Sequence, residues 1–250
     1  MKFSVCTDAV YRNTNTASAI EAVKALGFDA VEFWSWEDKD VAAIVEASKK
    51  YNVDIVAICT RFVPLNDASR RDEYVQGLID TISVSKQLGN KLIISQVGQD
   101  NGLDEEEQFR SIVEGLKACA AVLEEADMTL VIEPLNTRVD HKGYFLSSST
   151  LAANIIEEVS SPYVKLVFDI YHQQVTEGDV TRRSLDLLDK IGHFHAAGNP
   201  GRGELDRGEL NYEAIFMALL DGGYKGHFGL EYIPKEDAAV GLRRLREQYK

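Results

Sequence analysis

The stretch Thr129-Leu130-Val131-Ile132-Glu133-Pro134-Leu135-Asn136 joins a pattern typical of a buried strand to an abrupt strand end. Its first four residues suit burial on both faces, as in a central strand of a parallel sheet. Proline cannot donate to a sheet ladder, so Pro134 places the end of the strand at or beside Glu133. We therefore expect the Glu133 carboxylate to lie at the carboxyl end of a buried strand.

Later strand-like segments repeat this pattern and are each followed by an acid or an imidazole. These residues are Asp169 after residues 164–168, His195 after residues 191–194, and Glu231 after residues 227–230. Parallel strands of a barrel end at a common face, which is where the active sites of such barrels lie. The sequence therefore predicts that these three side chains converge with Glu133.

The whole chain alternates short apolar or β-branched runs with longer segments of helical period, which is typical of βαβ units. The predicted strands cover residues 2–6, 29–33, 53–60, 91–95, 129–132, 164–168, 191–195 and 227–230. A polar loop through Asn13 and Asn15 is expected after the first strand, and a loop at residues 170–174 after the sixth. Eight such units in 250 residues predict one α/β domain over residues 1–250, a single (β/α)8 TIM barrel rather than a doubly wound sheet. The sequence contains neither a GxGxxG motif after the first strand nor a Walker loop, so the usual signs of nucleotide binding are missing.

Charge and composition indicate which kinds of partner the protein can have. The formal net charge of −13 argues against a surface that follows a phosphate backbone, so we expect a small-molecule substrate and no nucleic acid. The three cysteines are widely spaced without a CxxC pair, which favours reduced thiols in a cytoplasmic protein. No apolar run has the length of a signal segment or a membrane span, so no membrane partner is expected.

The converging side chains predict a divalent-metal site formed by Glu133, Asp169, His195 and Glu231. Oxygen ligands suit Mg²⁺ and Mn²⁺, and the imidazole favours Mn²⁺ or Co²⁺ without excluding Mg²⁺. Glu133 and Glu231 are expected to serve also as the catalytic acid and base. His193 lies two residues before His195 and so points to the same side of the strand, but deeper, where we expect a supporting role.

Short runs along essentially the whole chain resemble the hydroxypyruvate isomerase family, which belongs to the xylose-isomerase-like barrels alongside the ketose 3-epimerases. The runs that carry the resemblance are IEPLN at residues 132–136, FDIYH at 168–172, NPGRGE at 199–204, GELNY at 208–212 and GLEY at 229–232. The resemblance implies that Glu133 and Glu231 bind the metal and transfer the proton, while Asp169 and His195 complete the coordination. His195 departs from the bacterial hydroxypyruvate isomerases, which carry glutamine there, and agrees with the ketose epimerases.

Three further residues are candidates for binding the substrate. Arg202 lies among glycines, and its guanidinium suits a carboxylate or phosphate, although it could be a surface residue without a ligand. His172 follows Asp169 by three residues and could donate to a substrate oxygen or orient Asp169. Glu32 lies near the end of the second strand and could contact polar substrate atoms or be a satisfied residue at the strand end. Trp34, beside it, is expected to form a pocket wall or a subunit contact.

These features predict an isomerase that interconverts hydroxypyruvate and tartronate semialdehyde through an enediolate, with a divalent metal as Lewis acid. Within the enzyme class, a ketose 3-epimerase or an isomerase of another 2-oxo acid such as 2-oxotetronate stays open. A metal-dependent endonuclease would need more histidine and aspartate ligands and a basic face, and a non-catalytic sugar-binding barrel would be expected to lack one of the paired glutamates. A homo-oligomer is compatible with the sequence, which does not fix the oligomeric state.

Overall fold

Eight parallel strands follow one another around a closed barrel in the computed structural model of the chain, which describes residues 1–249. The strands are β1 (Phe3–Cys6), β2 (Ala30–Phe33), β3 (Asp54–Cys59), β4 (Leu92–Ser95), β5 (Thr129–Ile132), β6 (Val164–Asp169), β7 (Ile191–Ala196) and β8 (Phe228–Leu230). Each strand pairs with its neighbours in sequence, and β8 pairs with β1 to close the ring. This arrangement confirms the predicted (β/α)8 TIM barrel.

The segments between the strands are largely helical. The helices are α1 (Thr7–Val10), α2 (Thr16–Ala25), α3 (Val41–Tyr51), α4 (Arg71–Leu88), α5 (Glu105–Ala126), α6 (Ser149–Val159), α7 (Ile170–Thr176), α8 (Val180–Asp186), α9 (Tyr212–Asp221) and α10 (Ala238–Gln248). Several begin at a side-chain cap, as when Asn15 accepts from the Ser18 amide at the start of α2. Across residues 1–249, no helix combines the length and the apolar character that crossing a bilayer requires.

Helix α7 corrects the sequence analysis, which described residues 170–174 as a loop. The cause is Asp169, the last residue of β6, whose side chain accepts a hydrogen bond from the His172 amide at 3.0 Å. A carboxylate at this position satisfies a free amide of the first turn and favours the positive end of the helix dipole. A second short helix, α1, likewise replaces part of the polar loop predicted after the first strand.

Successive residues of the barrel strands point to opposite sides and belong to two different apolar clusters. The smaller cluster fills the barrel interior. On β5, Leu130 and Ile132 belong to the large cluster, whereas Val131 belongs to a separate small one. The members of this small cluster come from four neighbouring strands and are Ala57, Cys59, Ile94, Val131 and Val167. Because side chains on one face recur every second residue, Glu133 follows Val131 and Asp169 follows Val167 toward the carboxyl end of the interior. The interior is therefore apolar at these positions and polar at its carboxyl end.

All three cysteines are buried free thiols, which agrees with the prediction of reduced cysteines in the core. Cys6 and Cys59 end β1 and β3. Burial is the main cause that raises the pKa of both thiols well above the usual value, and nearby carboxylates add to the effect. These thiols are therefore held in the neutral form and behave as small apolar side chains.

Helix α9 covers the seam where β8 closes on β1. The fully buried ring of Phe216 lies 4.3 Å from the ring of Phe228 and 5.7 Å from the ring of Phe3, measured between centroids. Phe3 and Phe228 are themselves partners in the register of the two strands. The closure of the barrel therefore depends on aromatic packing from the outside as well as on backbone hydrogen bonds.

Replacing Phe216 by alanine should lower the free energy of unfolding by about 3–5 kcal/mol, because the change leaves a cavity against both strands of the seam. Urea denaturation followed by circular dichroism measures this loss. Met217 on the same helix is 47% exposed, so Met217→Ala is the matched control and should change stability by less than about 0.5 kcal/mol. Similar small losses in the two variants would show that α9 does not hold the seam.

Candidate metal centre and active site

Four strand ends place the predicted metal ligands around one point at the carboxyl face of the barrel. Asp169 and His195 are partners in the register of β6 and β7. Glu133 and Glu231 directly follow β5 and β8, and their backbone amides donate to the carbonyl groups of Ser95 and Ala196, each at 3.1 Å. Both glutamates are therefore fixed at the backbone although each lies just beyond its strand.

The structure brings all four side chains together. One ligand atom from each of Glu133, Asp169, His195 and Glu231 lies within 4.8 Å of the others, and all four residues are buried. His195 is central, because its Nδ1 atom lies 2.8 Å from Glu133 Oε1 and 3.7 Å from Glu231 Oε2. The predicted convergence is therefore seen in the structure, and metal coordination itself stays a prediction.

The four grouped side chains have pKa values that are shifted in different directions by burial and by their neighbours' charges. Burial raises the pKa of Glu133 and of Asp169, and the repulsion of neighbouring carboxylates adds to the effect. Burial acts on Glu231 in the same direction, but the charges of His195 and Arg202 outweigh it, so the pKa of Glu231 is lowered. Burial alone would lower the pKa of His195, yet the surrounding carboxylates raise it well above its usual value. The site therefore concentrates negative charge that needs positive partners.

Two observations indicate that the four side chains suit a divalent cation. Asp169 Oδ2 is buried and has no hydrogen-bond partner among the described residues, so a strong acceptor faces the site unsatisfied. The set of three carboxylates and one imidazole also has the composition that Mg²⁺ and Mn²⁺ accept. These residues could hold one such ion, and the two glutamates among them could also accept and return a proton.

His172 is oriented as a hydrogen-bond donor beside this cluster. Its Nδ1 atom accepts from the Asn136 backbone amide at 3.2 Å, so the ring proton belongs on Nε2. Nε2 is buried, has no hydrogen-bond partner among residues 1–249 and lies 3.7 Å from Asp169 Oδ2. Burial, aided by the charge of Arg202, lowers the pKa of His172 well below its usual value. The ring is therefore neutral and directs an N–H toward the site.

Arg202 brings the nearest permanent positive charge to the carboxylates. Its Nη2 atom donates to Glu231 Oε2 and lies 4.0 Å from Asp169 Oδ2. The guanidinium carbon lies 5.6 Å from the centre of the Tyr171 ring, and the side chain is 14% exposed. Arg202 adopts a left-handed backbone conformation with φ of +54°, in the loop after β7 that also contains the cis Asn199–Pro200 peptide. Arg202 is therefore part of the site and not a surface residue, whereas its contact with substrate stays a prediction.

Glu32 lies at the side of His195 that faces away from Glu133. Its Oε1 atom is 3.0 Å from His195 Nε2, and its Oε2 atom is 3.0 Å from His193 Nε2 and accepts from Ser4 Oγ at 2.7 Å. Burial opposes ionisation of Glu32, but the two imidazoles outweigh it and hold the pKa of Glu32 well below its usual range. His193 is 1% exposed, which agrees with the deep position predicted for it. A substrate contact for Glu32 stays a prediction.

Sequence analysis missed two contacts of the site. Trp34 donates from its indole Nε1 to Glu231 Oε1 at 2.6 Å, although the two residues are far apart in the chain. Asn136 orients His172 through its backbone, and its side chain donates to Asp140 Oδ2 at 2.7 Å. The position of Trp34 just beyond the end of β2 was a signal for the first contact, since strand ends share the active face. The second depends on the path of the loop after β5, which no sequence pattern gives.

Comparison with known proteins identifies the relatives of this chain. Residues 20–248 match the model of the xylose isomerase-like TIM barrel family. The chain is 31% identical over 257 residues to hydroxypyruvate isomerase of Escherichia coli strain K12, and 97% of each protein is covered. It is 40% identical over 134 residues to 2-oxo-tetronate isomerase of Cupriavidus necator, where 54% of this chain and 51% of that protein are covered.

A solved structure agrees with this assignment over the whole barrel. The crystal structure of a Brucella melitensis protein described as an AP endonuclease of family 2 superposes with a TM-score of 0.94 at 26% identity, covering 98% of both chains. The likeness to this structure and to the Escherichia coli protein extends over nearly the full chain. The chain therefore belongs to the hydroxypyruvate isomerase family of xylose isomerase-like TIM barrels, and it is an isomerase.

Proposed function

We propose that the protein interconverts hydroxypyruvate and tartronate semialdehyde with the help of a bound divalent metal. The observation that carries this proposal is the buried convergence of Glu133, Asp169, His195 and Glu231 at the carboxyl face of the barrel. The likeness to hydroxypyruvate isomerase of Escherichia coli over 97% of both proteins supports the choice of substrate. The predicted cytoplasmic location belongs to the same proposal, and the buried free thiols agree with it.

The metal would be held by those four residues, and we propose Mg²⁺ or Mn²⁺, with Co²⁺ as a further candidate. When bound, such an ion polarises the substrate carbonyl and stabilises the negative charge that develops on the neighbouring oxygens. Three carboxylates together outweigh the charge of a divalent ion, so Arg202 supplies the positive charge that an anionic substrate needs. The donor atoms of the chain are otherwise fixed by strand ends and by the helix that Asp169 caps.

Arg202 and His172 are proposed to orient the substrate. The Arg202 guanidinium can form a two-point contact with the carboxylate of hydroxypyruvate, because its planar fork matches carboxylate geometry. The neutral His172 ring directs its Nε2 proton into the site and can donate to the carbonyl or hydroxyl oxygen of the substrate. Together these contacts place the two reacting carbons between Glu133 and Glu231.

Glu133 and Glu231 are proposed to transfer the proton. One carboxylate removes a proton from C3 of hydroxypyruvate, which leaves an enediolate across C2 and C3. A proton then returns to C2, and a hydroxyl proton moves from the C3 oxygen to the C2 oxygen, which gives tartronate semialdehyde. General acid–base catalysis of this kind contributes roughly 10²–10⁴-fold, and electrostatic stabilisation of the enediolate supplies much of the remainder.

Two related reactions remain alternatives at the same site. The 40% identity to 2-oxo-tetronate isomerase of Cupriavidus necator favours a longer 2-oxo acid as the second candidate substrate, although that alignment covers only 54% of this chain. Return of the proton to the opposite face of the same carbon would instead be epimerisation of a ketose, and His195 is the residue that this alternative rests on. A nucleic-acid substrate, as in the Brucella melitensis protein described as an AP endonuclease, fits poorly with a net charge of −13.

Removal of the metal should abolish activity. After dialysis against EDTA, hydroxypyruvate turnover should fall to background, and Mn²⁺ or Mg²⁺ should restore it, because the enediolate charge otherwise lies among three carboxylates. Elemental analysis of the active protein should find about one divalent ion per chain. An enzyme that stays fully active while the analysis detects no metal would contradict the proposal.

Glu133→Gln and Glu231→Gln should each lower kcat by at least roughly 10³-fold at saturating metal, because each amide keeps one oxygen but cannot accept the proton. Incorporation of deuterium from ²H₂O into the substrate, followed by NMR, should show which glutamate removes the first proton.

The matched control is Glu204→Gln, which changes another buried glutamate, one whose side chain accepts from the Lys235 amide instead. It should keep kcat within a few-fold. Near wild-type turnover in both metal-loaded active-site variants would show that the two-glutamate mechanism is wrong.

Arg202→Ala should reduce kcat/KM for acidic substrates by tens to hundreds-fold, since a charge-assisted two-point contact is worth on the order of 2–4 kcal/mol. Neutral ketoses, where they are turned over, should lose far less. Arg207→Ala is the control on the same loop, because that side chain is 52% exposed and bonds to Glu236. Equal losses on acidic and neutral substrates would show that Arg202 acts on the structure of the site and not on the substrate carboxylate.

A further inference from the structure

A second group of buried side chains lies on the Nε2 side of His195, and the proposed proton transfer does not use it. Glu32, His193 and His195 bring one ligand-type atom each within 4.8 Å of the others, and all are buried. His195 belongs both to this group and to the four metal donors. Its two ring nitrogens face different groups, since Nδ1 lies 2.8 Å from Glu133 Oε1 and Nε2 lies 3.0 Å from Glu32 Oε1.

We propose that Glu32 is the positioning residue of the metal site, accepting the Nε2 proton of His195 so that the Nδ1 lone pair faces Glu133, Asp169 and Glu231. A nitrogen that binds a metal must be free of its proton, which leaves the ring proton on the other nitrogen. With the metal at Nδ1, that proton is on Nε2, and Glu32 is the acceptor beside it. This inference rests on the proposed function, because it concerns the metal site that the function requires.

Of the two carboxylate oxygens of Glu32, Oε1 is the one available to accept a hydrogen bond from His195. Ser4 Oγ donates to Glu32 Oε2, and His193 Nε2 lies 3.0 Å from the same oxygen. Glu32 Oε1 and His195 Nε2 are close but not aligned as a hydrogen bond, and neither has another partner among residues 1–249. Glu32 Oε1 is therefore free to accept the proton of His195 Nε2, whereas loss of Glu32 would leave a buried N–H without an acceptor.

Gly229 provides a second, independent observation. It is the partner of His195 in the register of β7 and β8 and of Ser4 in that of β1 and β8. A Cβ atom at Gly229 would lie 2.4 Å from Glu32 Oε1, 2.7 Å from His195 Cδ2 and 2.9 Å from His193 Nε2. A side chain of any size would therefore displace the Glu32 carboxylate from the imidazoles. The absence of a side chain at Gly229 therefore leaves room for Glu32 and His195 to approach each other.

The main test is the affinity for Mn²⁺, measured without substrate by electron paramagnetic resonance. Glu32→Leu removes both acceptor oxygens at similar size and should weaken Mn²⁺ binding by 10–100-fold, as expected for an outer partner of a metal-binding histidine. Glu32→Gln keeps one acceptor oxygen and should recover part of the affinity. Ser4→Ala is the matched control, since it removes a hydrogen bond to Glu32 but leaves Oε1 free for His195, and it should bind Mn²⁺ like the wild type.

Unchanged Mn²⁺ affinity in folded Glu32→Leu would overturn the inference. So would a variant that binds Mn²⁺ normally and has only a raised KM, because Glu32 would then be a substrate contact. A raised Kd for Mn²⁺ with nearly unchanged KM at saturating Mn²⁺ is the expected pattern.

The wild-type protein offers a test that needs no variant. In protein labelled with ¹⁵N-histidine and loaded with Zn²⁺, a diamagnetic ion that imidazole binds well, NMR should show His195 bound through Nδ1 and protonated at Nε2. Protonation at Nδ1, or wild-type protein that binds neither Zn²⁺ nor Mn²⁺, would refute the role of Glu32. Protein that binds metal as expected but does not convert hydroxypyruvate would instead contradict only the proposed function.

Discussion

Three carboxylates held against one another away from water are the constraint on which the site depends. Glu133, Asp169 and Glu231 are each at most 4% exposed, so solvent does little to screen their repulsion. Such a cluster is stable only if positive charge or hydrogen-bond donors reach it from the same face of the barrel. Each further residue of the site can be understood by the donor or the charge that it contributes.

The chain offsets this charge from several strands at once. His195 comes from β7, Arg202 from the loop after β7, and Trp34 donates from beyond β2. None of these contacts satisfies Asp169 Oδ2, which has no hydrogen-bond partner among the described residues. The remaining deficit lies where a divalent cation would contact all three acids. Because the same ion would stabilise an enediolate, the electrostatic requirement of the fold and the requirement of the reaction coincide.

The fold and the four donors could be predicted from sequence because both follow from local rules. Apolar runs interrupted after Ile132, Phe168 and Leu230 locate strand ends, and parallel strands bring their ends to one face. Helix α7 was missed because an aspartate at a strand end was interpreted only as a ligand, although the same residue also caps a helix. Contacts between strands distant in sequence, such as that of Trp34 with Glu231, depend on the stagger of the barrel. Glu32 lies within β2, one residue before its end, whereas Glu133 lies just beyond β5, and the two carboxylates face opposite ring nitrogens of His195.

The most direct test of this account is the position of the metal itself. Crystals grown with Mn²⁺ and measured with X-rays at the manganese absorption edge should show one strong anomalous peak per chain. The peak should lie within roughly 2.0–2.4 Å of carboxylate oxygens of Glu133, Asp169 and Glu231 and of the Nδ1 atom of His195. A peak at any other group of side chains, or crystals of active protein with no peak at this point, would contradict the claim that these residues form the catalytic metal centre.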